Sequence, residues 1–173
     1  MTTLLSPPIR SLSLRAPWPW LIANAGKDIE NRNWSTPYRG ALLIHTSAAK
    51  DWEQVLEAEM CYLKLKSPSA PPMPPVTVTF GPKGTRVKHW PDEYPTSCYT
   101  ILCWLSACSR TNSRKSPWFF GRHGFQLSNV IPLPEPIPGR GHQGIRHPDP
   151  AVVQALDEML PDWRERVTPK EPA

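Results

Sequence analysis

A chain of 173 residues has room for one folded domain plus a tail or insertion, and it can bury enough core to need no disulfide or metal staple. Its 23 prolines, against a usual share of about 5%, divide the chain into short elements and exclude a helical bundle, while a net charge of +5 points to anionic partners such as RNA, DNA or nucleotides. No apolar run approaches the roughly 20 residues of a membrane span, the N-terminus lacks the basic-then-apolar order of a secretion signal, and Cys61, Cys98, Cys103 and Cys108 form no CxxC pair, so free thiols in a reducing cytoplasm are expected.

Residues 12–14 alternate apolar and polar side chains and read as a short strand. Pro17 suits the first turn of a helix, where its missing N–H costs nothing; Trp18, Leu21 and Ile22 give that helix an apolar face and Gly26 ends it. Residues 29–34, IENRNW, have a period of two, so Glu30, Arg32 and Trp34 share one face and Ile29, Asn31 and Asn33 the other. After a turn at 35–40, the run ALLIH at 41–45 has the composition of a central strand. Ser47 can cap a helix from 48 to about 65 whose stripe is Trp52, Val55, Leu56, Met60 and Leu63. Residues 66–75, KSPSAPPMPP, form a polyproline-type loop, and 76–80 with 85–87 suit a hairpin, so about 66–95 reads as an insertion. Strands are expected at 99–105 and 125–130, with a basic loop at 109–116 between them. Residues 132–140 are extended and proline-rich, and 141–146 supply a last short strand. Asp149 caps and Pro150 opens a final helix with Val152, Val153, Leu156, Met159 and Leu160 inside. Short strands and two or three helices without βαβ alternation predict an α+β, barrel-like single domain over 1–167, followed by a flexible tail at 168–173.

Chemistry concentrates in AGKDIENRNW, where Lys27, Glu30, Arg32 and Trp34 fall within eight residues. From the turn between helix and strand, Lys27 can point into a cleft; with Arg32 it could neutralise a phosphate, while Glu30 accepts from a base edge and Trp34 stacks on a ring. The same residues also suit an exposed polar strand face whose Glu–Arg pair contributes little. Trp18 either packs or stacks. The loop SPWFFGRHG brings Trp118, Phe119, Phe120, Arg122 and His123 together, a mixture that suits single-stranded RNA or an aromatic anchor in the core. Arg39 joins the ligand-binding candidates, as does His45, which ends the buried strand as a core-edge histidine or a catalyst. His123, His142 and His147 lack a spacing that compels a metal, and nothing implies a cofactor.

The pattern G-x-K-x-x-E-x-R resembles the signature of the ASCH domain, the activating-signal-cointegrator homology domain of the PUA-like superfamily. Here it reads Ala25, Lys27, Glu30 and Arg32, with the glycine displaced to Gly26. APWPWLIANAGKDIENRNW followed by YRGALLIHTSA is similar to the first half of the small bacterial and phage-type members, and SPWFFGRHGFQL followed by RGHQGI to their closing strands. The resemblance implies a small β-barrel flanked by helices, with a cleft lined by the motif that binds RNA or a nucleotide-like ligand, DNA being possible. Some members are similar to amidohydrolases that deacetylate a modified cytidine and others to ribonucleases, which would make Lys27 and Glu30 the catalytic candidates. In the amidohydrolase-like members a Lys and a hydroxyl residue work with a carboxylate from a later strand. Glu30 stands at the hydroxyl position here, residues 98–108 contain no Asp or Glu, and Asp92 and Glu93 lie just upstream. That departure favours binding over acyl chemistry. A further alternative is a regulatory adaptor whose protein contact is the Pro-rich 66–95 segment.

Overall fold

The run ALLIH is apolar on both faces because both faces are covered. In the computed structural model, which describes residues 8–48, 52–74, 77–80, 86–89 and 94–170, it lies in a strand third from one edge of a six-stranded sheet. The strands of that sheet are β1 (Arg10–Arg15), β2 (Ile29–Arg32), β3 (Gly40–Ser47), β6 (Cys98–Ser109), β7 (His123–Pro138) and β8 (Ile145–Arg146), in the order β2-β7-β6-β3-β1-β8. A separate hairpin of β4 (Thr77–Phe80) and β5 (Arg86–His89) pairs Thr77 with His89 and Phe80 with Arg86; its turn lies outside the described residues. The helices are α1 (Trp18–Asn24), α2 (Trp52–Leu65), α3 (Pro150–Met159) and α4 (Trp163–Val167). The large sheet is mixed and curls into a half-barrel with β2 and β8 as its edges, an α+β fold of the PUA-like kind.

Alternation along β3 builds two cores. Leu42 and Ile44 face the side on which α1 and α2 pack with Leu12, Leu21, Ile29, Ile101 and Phe125. Ala41 and Leu43 face the other side, where Val152, Leu156, Trp163 and Val167 of α3 and α4 cover Tyr99 and Leu102. β1 runs parallel to β3, from Arg10 beside Leu42 to Arg15 beside Ser47. Parallel neighbours need a crossover, and α1 with β2 fills it. The carboxyl ends of β1 and β3 therefore open together at one end of the sheet, beside the start of α1 and the edge strand β2.

Several elements depart from the expectations. Pro17 precedes α1 through a cis Ala16–Pro17 bond, and Pro19 is the proline inside the first turn. β2 stops at Arg32, short of Trp34. Ser47, expected to cap α2, is instead the last residue of β3, and Ala48 is not helical; α2 is described from Trp52, residues 49–51 and the side chain of Trp52 lying outside the described residues. The buried stripe of α2 is Val55, Ala58 and Tyr62, while Met60 is 55% and Leu63 73% exposed. Tyr62 overrides the apolar count because it meets Trp20 of α1 edge-on at 5.8 Å and its hydroxyl donates to the Pro71 carbonyl at 2.7 Å. The proline-rich segment is thereby folded back, and Ser67 N–H ties it to the Ala25 carbonyl.

The extended stretch 132–138 is the second half of β7. β2 pairs with residues 123–126, so Pro132, Pro134, Pro136 and Pro138 lie where that edge has no strand partner among the described residues, and the missing N–H groups cost no ladder bond to them. Asp149 precedes Pro150 as expected, but it caps α3 through its backbone carbonyl, not its side chain. α4 has no counterpart in the sequence reading. Buried Trp163 and Val167 hold it down, and Asp157 accepts from Trp163 Nε1 and Arg164 Nη1, each at 2.7 Å. Of the tail, 171–173 lie outside the described residues.

The observed face of α2 gives a direct test. Tyr62→Ala should cost about 3 kcal/mol, as truncation of a buried aromatic does, whereas Leu63→Ser should stay within about 0.5 kcal/mol. Urea denaturation of the two variants checks the order, which reverses if the Met60–Leu63 side is the buried one.

Candidate functional site

α1 ends where Gly26, at φ 78°, enters the left-handed region and lets Lys27 N–H donate back to the Leu21 carbonyl at 3.2 Å. The displaced glycine thus occupies the position that needs it, and Ala25 is packed into the core. The chain then turns straight into β2. Ile29 enters the core, while Glu30 and Arg32 project into a cleft of about 1080 Å³ at the open end of β1 and β3.

The floor of this cleft is an ion cluster. The Lys27 side chain is only 1% exposed; its ammonium donates to the Ile29 carbonyl and to Glu30 Oε2 at 2.9 Å, and lies 5.5 Å from the centre of the Trp18 ring. Arg32 Nη2 donates to the Ser13 carbonyl at 2.9 Å. Arg32 Nε lies 3.2 Å from Glu30 Oε1, but its N–H is not aligned on that oxygen, which leaves a buried donor without a hydrogen-bond partner. Both Glu30 oxygens therefore face cations, and the trio carries one net positive charge. Ser47 Oγ, also in the cleft wall, is a second buried polar atom without a partner. Neither atom is reached by solvent, so what the trio offers to the cleft is the rest of the Arg32 side chain, which is 23% exposed.

Aromatic rings form the walls. Trp18 is 8% exposed and donates through Nε1 to Gln54 Oε1 at 2.7 Å; Trp34 meets Phe125 edge-on at 5.0 Å. Phe120 is 49% exposed and 6.5 Å from Trp18, which makes it the open ring at the mouth. Asn31, on the reverse face of β2, holds its loop: Oδ1 accepts from Phe120 N–H at 3.0 Å and Gly121 N–H at 2.8 Å, and Nδ2 donates to the Trp118 carbonyl at 2.8 Å. Gly121 packs so close that a Cβ there would come within 2.7 Å of the Asn31 Cβ.

A second hollow of about 560 Å³ adjoins the cleft, and His45 lines this one. Its Nε2 lies 3.1 Å from the Gly139 carbonyl, which can only accept, so Nε2 carries the proton and Nδ1 accepts from Ser13 Oγ at 3.3 Å. Ser13 Oγ in turn accepts from His142 N–H at 2.9 Å. Burial pushes the pKa of His45 below the usual 6.5.

Of the residues expected from sequence, Lys27, Glu30, Arg32, Trp34 and Trp18 line the cleft together. The others do not. Trp118 is 2% exposed and belongs to the core beneath the aromatic loop. Arg39 donates to the carbonyls of Thr36 and Tyr38 in its own turn. Arg122, on the far side of Gly121, is exposed outside the cleft. Phe120, one of the aromatic residues of SPWFFGRHG, also lines the cleft, as do Ser13, Ser47, Gln54, His142 and Gln143, for which the sequence reading gives no ligand role. The segment RGHQGI signals the last two; nothing local signals the other three. Asp92 and Glu93 lie outside the described residues, and among the described residues no group of three His, Cys, Asp or Glu side chains could hold a metal ion. Among the described residues no helix is long and apolar enough to cross a membrane.

Comparison with known proteins agrees with the motif. The family model described as the ASCH domain matches residues 12–118, which take in the crossover, the ion cluster and the start of the aromatic loop. No curated protein matches the chain.

Two predictions follow from this geometry. Glu30→Gln should destabilise the fold by about 3 kcal/mol or more, because it strips a buried ammonium of its counter-ion. Lys27→Met should cost less, since Glu30 keeps Arg32; urea midpoints of both variants test the asymmetry. Stability should also fall on acidification. Above about pH 6.5 the His45 contribution is complete; below it the unfolded chain takes up a proton that the folded one resists, so stability declines toward the depressed folded value. His123, also held low by burial and by Arg110 and Arg122, acts in the same direction. Thermal midpoints of the His45→Gln variant should therefore show a flatter pH dependence, and an unchanged slope would clear His45 of this role.

Proposed function

The chain belongs to the ASCH-domain family, a PUA-like family often linked to RNA binding, and on that premise we propose that the cleft of Lys27, Glu30, Arg32 and Trp34 binds single-stranded RNA or a nucleotide. The observation that carries this reading is Arg32. Its guanidinium is fixed by the Ser13 carbonyl and Glu30, yet its side chain stays 23% exposed in a cleft whose floor is one charge positive. A phosphate oxygen or a base carbonyl can accept from the exposed part of that guanidinium. Lys27 acts from below, holding Glu30 in place rather than reaching the ligand, because its side chain is almost fully buried. Glu30 keeps lone pairs for a base amino group beside those engaged by its two cations. Phe120, exposed at the mouth, offers the face on which a base can stack, a contribution of roughly 1–3 kcal/mol per base in proteins that bind single strands.

Binding of labelled single-stranded RNA, duplex RNA and single-stranded DNA across a salt series tests the reading. Arg32→Ala and Phe120→Ala should each weaken single-strand binding, the second by about tenfold or more. Only Arg32→Ala should flatten the salt dependence, since it removes a phosphate-competent charge and Phe120→Ala does not. Binding that survives both changes, or that is absent for every polymer, overturns the reading.

A further inference from the structure

We propose that the hollow beside the cleft is a second subsite, for the neighbouring nucleotide of the same strand, so that the ligand is an oligonucleotide rather than a free nucleoside or mononucleotide. The inference rests on the nucleic-acid reading of the cleft and specifies its ligand.

Continuity is the first support. Cleft and hollow share Ser13, Ser47, His142 and Gln143, so the two are successive chambers of one groove. Size is the second. Small-ligand sites run to roughly 300–1,000 Å³; the cleft alone reaches the top of that range at about 1080 Å³, and the hollow adds about 560 Å³. One nucleotide leaves much of this space unfilled, whereas a strand passing from one chamber to the next fills it.

Charge changes along the groove in the sense a strand requires. The cleft mixes Arg15, Lys27 and Arg32 with Glu30 and Glu57, a set able to read both amino and carbonyl groups of a base. Among the described residues lining the hollow there are Arg140 and His142 and no acidic side chain, while the His45 ring is engaged in its neutral form. A phosphodiester leaving the cleft thus meets a guanidinium with no acid beside it.

The loop that carries the hollow's charges is held in advance. His45 donates to the Gly139 carbonyl, Tyr99 Oη donates to the Arg140 carbonyl at 2.9 Å, and His142 N–H donates to Ser13 Oγ. Gly141 lies against the Ser13–His45 hydrogen bond, where a Cβ would come within 2.5 Å of His45 Nδ1. The backbone is fixed while the side chains of Arg140 and His142 stay exposed, so a ligand meets them without first ordering the loop.

Calorimetric titration tests the subsite with the four ribonucleoside 5′-monophosphates, the dinucleotides UpU and ApA, and ten-nucleotide U and A homopolymers, against the protein and its Arg140→Ala variant. Arg140 lines the hollow and not the cleft, and its side chain is exposed and outside the ion cluster, so the fold should be kept, which circular dichroism checks. The better dinucleotide should bind at least about tenfold tighter than its monophosphate, the second contact being made at high effective concentration. The variant should remove most of that gain, leave monophosphate affinity within about twofold, and lower the salt slope by about 0.7 for the one lost phosphate contact. Equal affinity for monophosphate and dinucleotide, or a variant that weakens both alike, would overturn the second subsite and leave the cleft reading standing. Binding of none of these probes would remove the cleft reading and this inference with it.

Discussion

Three charges placed where water is nearly absent govern this molecule. Lys27, Glu30 and Arg32 sit on the turn out of α1 and along β2, with side-chain exposures of 1%, 10% and 23%. Burying an ion costs several kcal/mol unless partners replace its hydration, and the surroundings of β2 supply them: the Ile29 and Ser13 carbonyls, the Trp18 face, and the ions themselves. The trio leaves one positive charge over, and exposure rises from Lys27 to Arg32. The cluster is closed underneath, at Lys27, and open above, at Arg32.

The fold sets that cluster at the end of the sheet where it can be reached. Since β1 and β3 are parallel neighbours, the chain must leave the sheet and return, and the crossover carries α1, the glycine turn and β2. β2 then joins the far edge by pairing with the start of β7. The motif is therefore tied to both ends of the strand order: through its backbone to β7, and through Arg32 to Ser13 on β1, the neighbour of the opposite edge strand. Two helices on each face bury the sheet, so the cleft opens at its end and not across a face.

Local pattern made much of this legible in the sequence. The period of two in IENRNW placed Glu30 and Arg32 on one face, the unbroken run ALLIH marked a strand covered on both sides, and Pro150 opened α3. What escaped depended on contacts between distant segments. The buried stripe of α2 turns on Tyr62 reaching Trp20 and Pro71, which an apolar count cannot foresee. Prolines at every second position hid the length of β7, because only the sheet order reveals an edge without a partner. At the site, the choice among aromatic residues failed for the same reason. Trp118 and Phe120 are two residues apart in one loop, and only the packed structure sends the first into the core and the second to the mouth.

That loop and the one before β8 share a design. Each is fixed at its backbone by a side chain from the sheet, Asn31 in one case and Ser13 with His45 in the other, and each leaves exposed side chains, Phe120 in the first and Arg140 and His142 in the second. In each a glycine is pressed against the residue that holds it, Gly121 on Asn31 and Gly141 on His45, so neither loop can shift without breaking the anchor. A groove whose floor is charged and whose two rims are pinned in this way loses little conformational freedom on binding. Selectivity would then come from the fixed spacing between the Phe120 ring, the Arg32 donor and the Arg140–His142 rim, a ruler suited to a polymer of regular repeat, which a small free ligand could meet at only one of its marks.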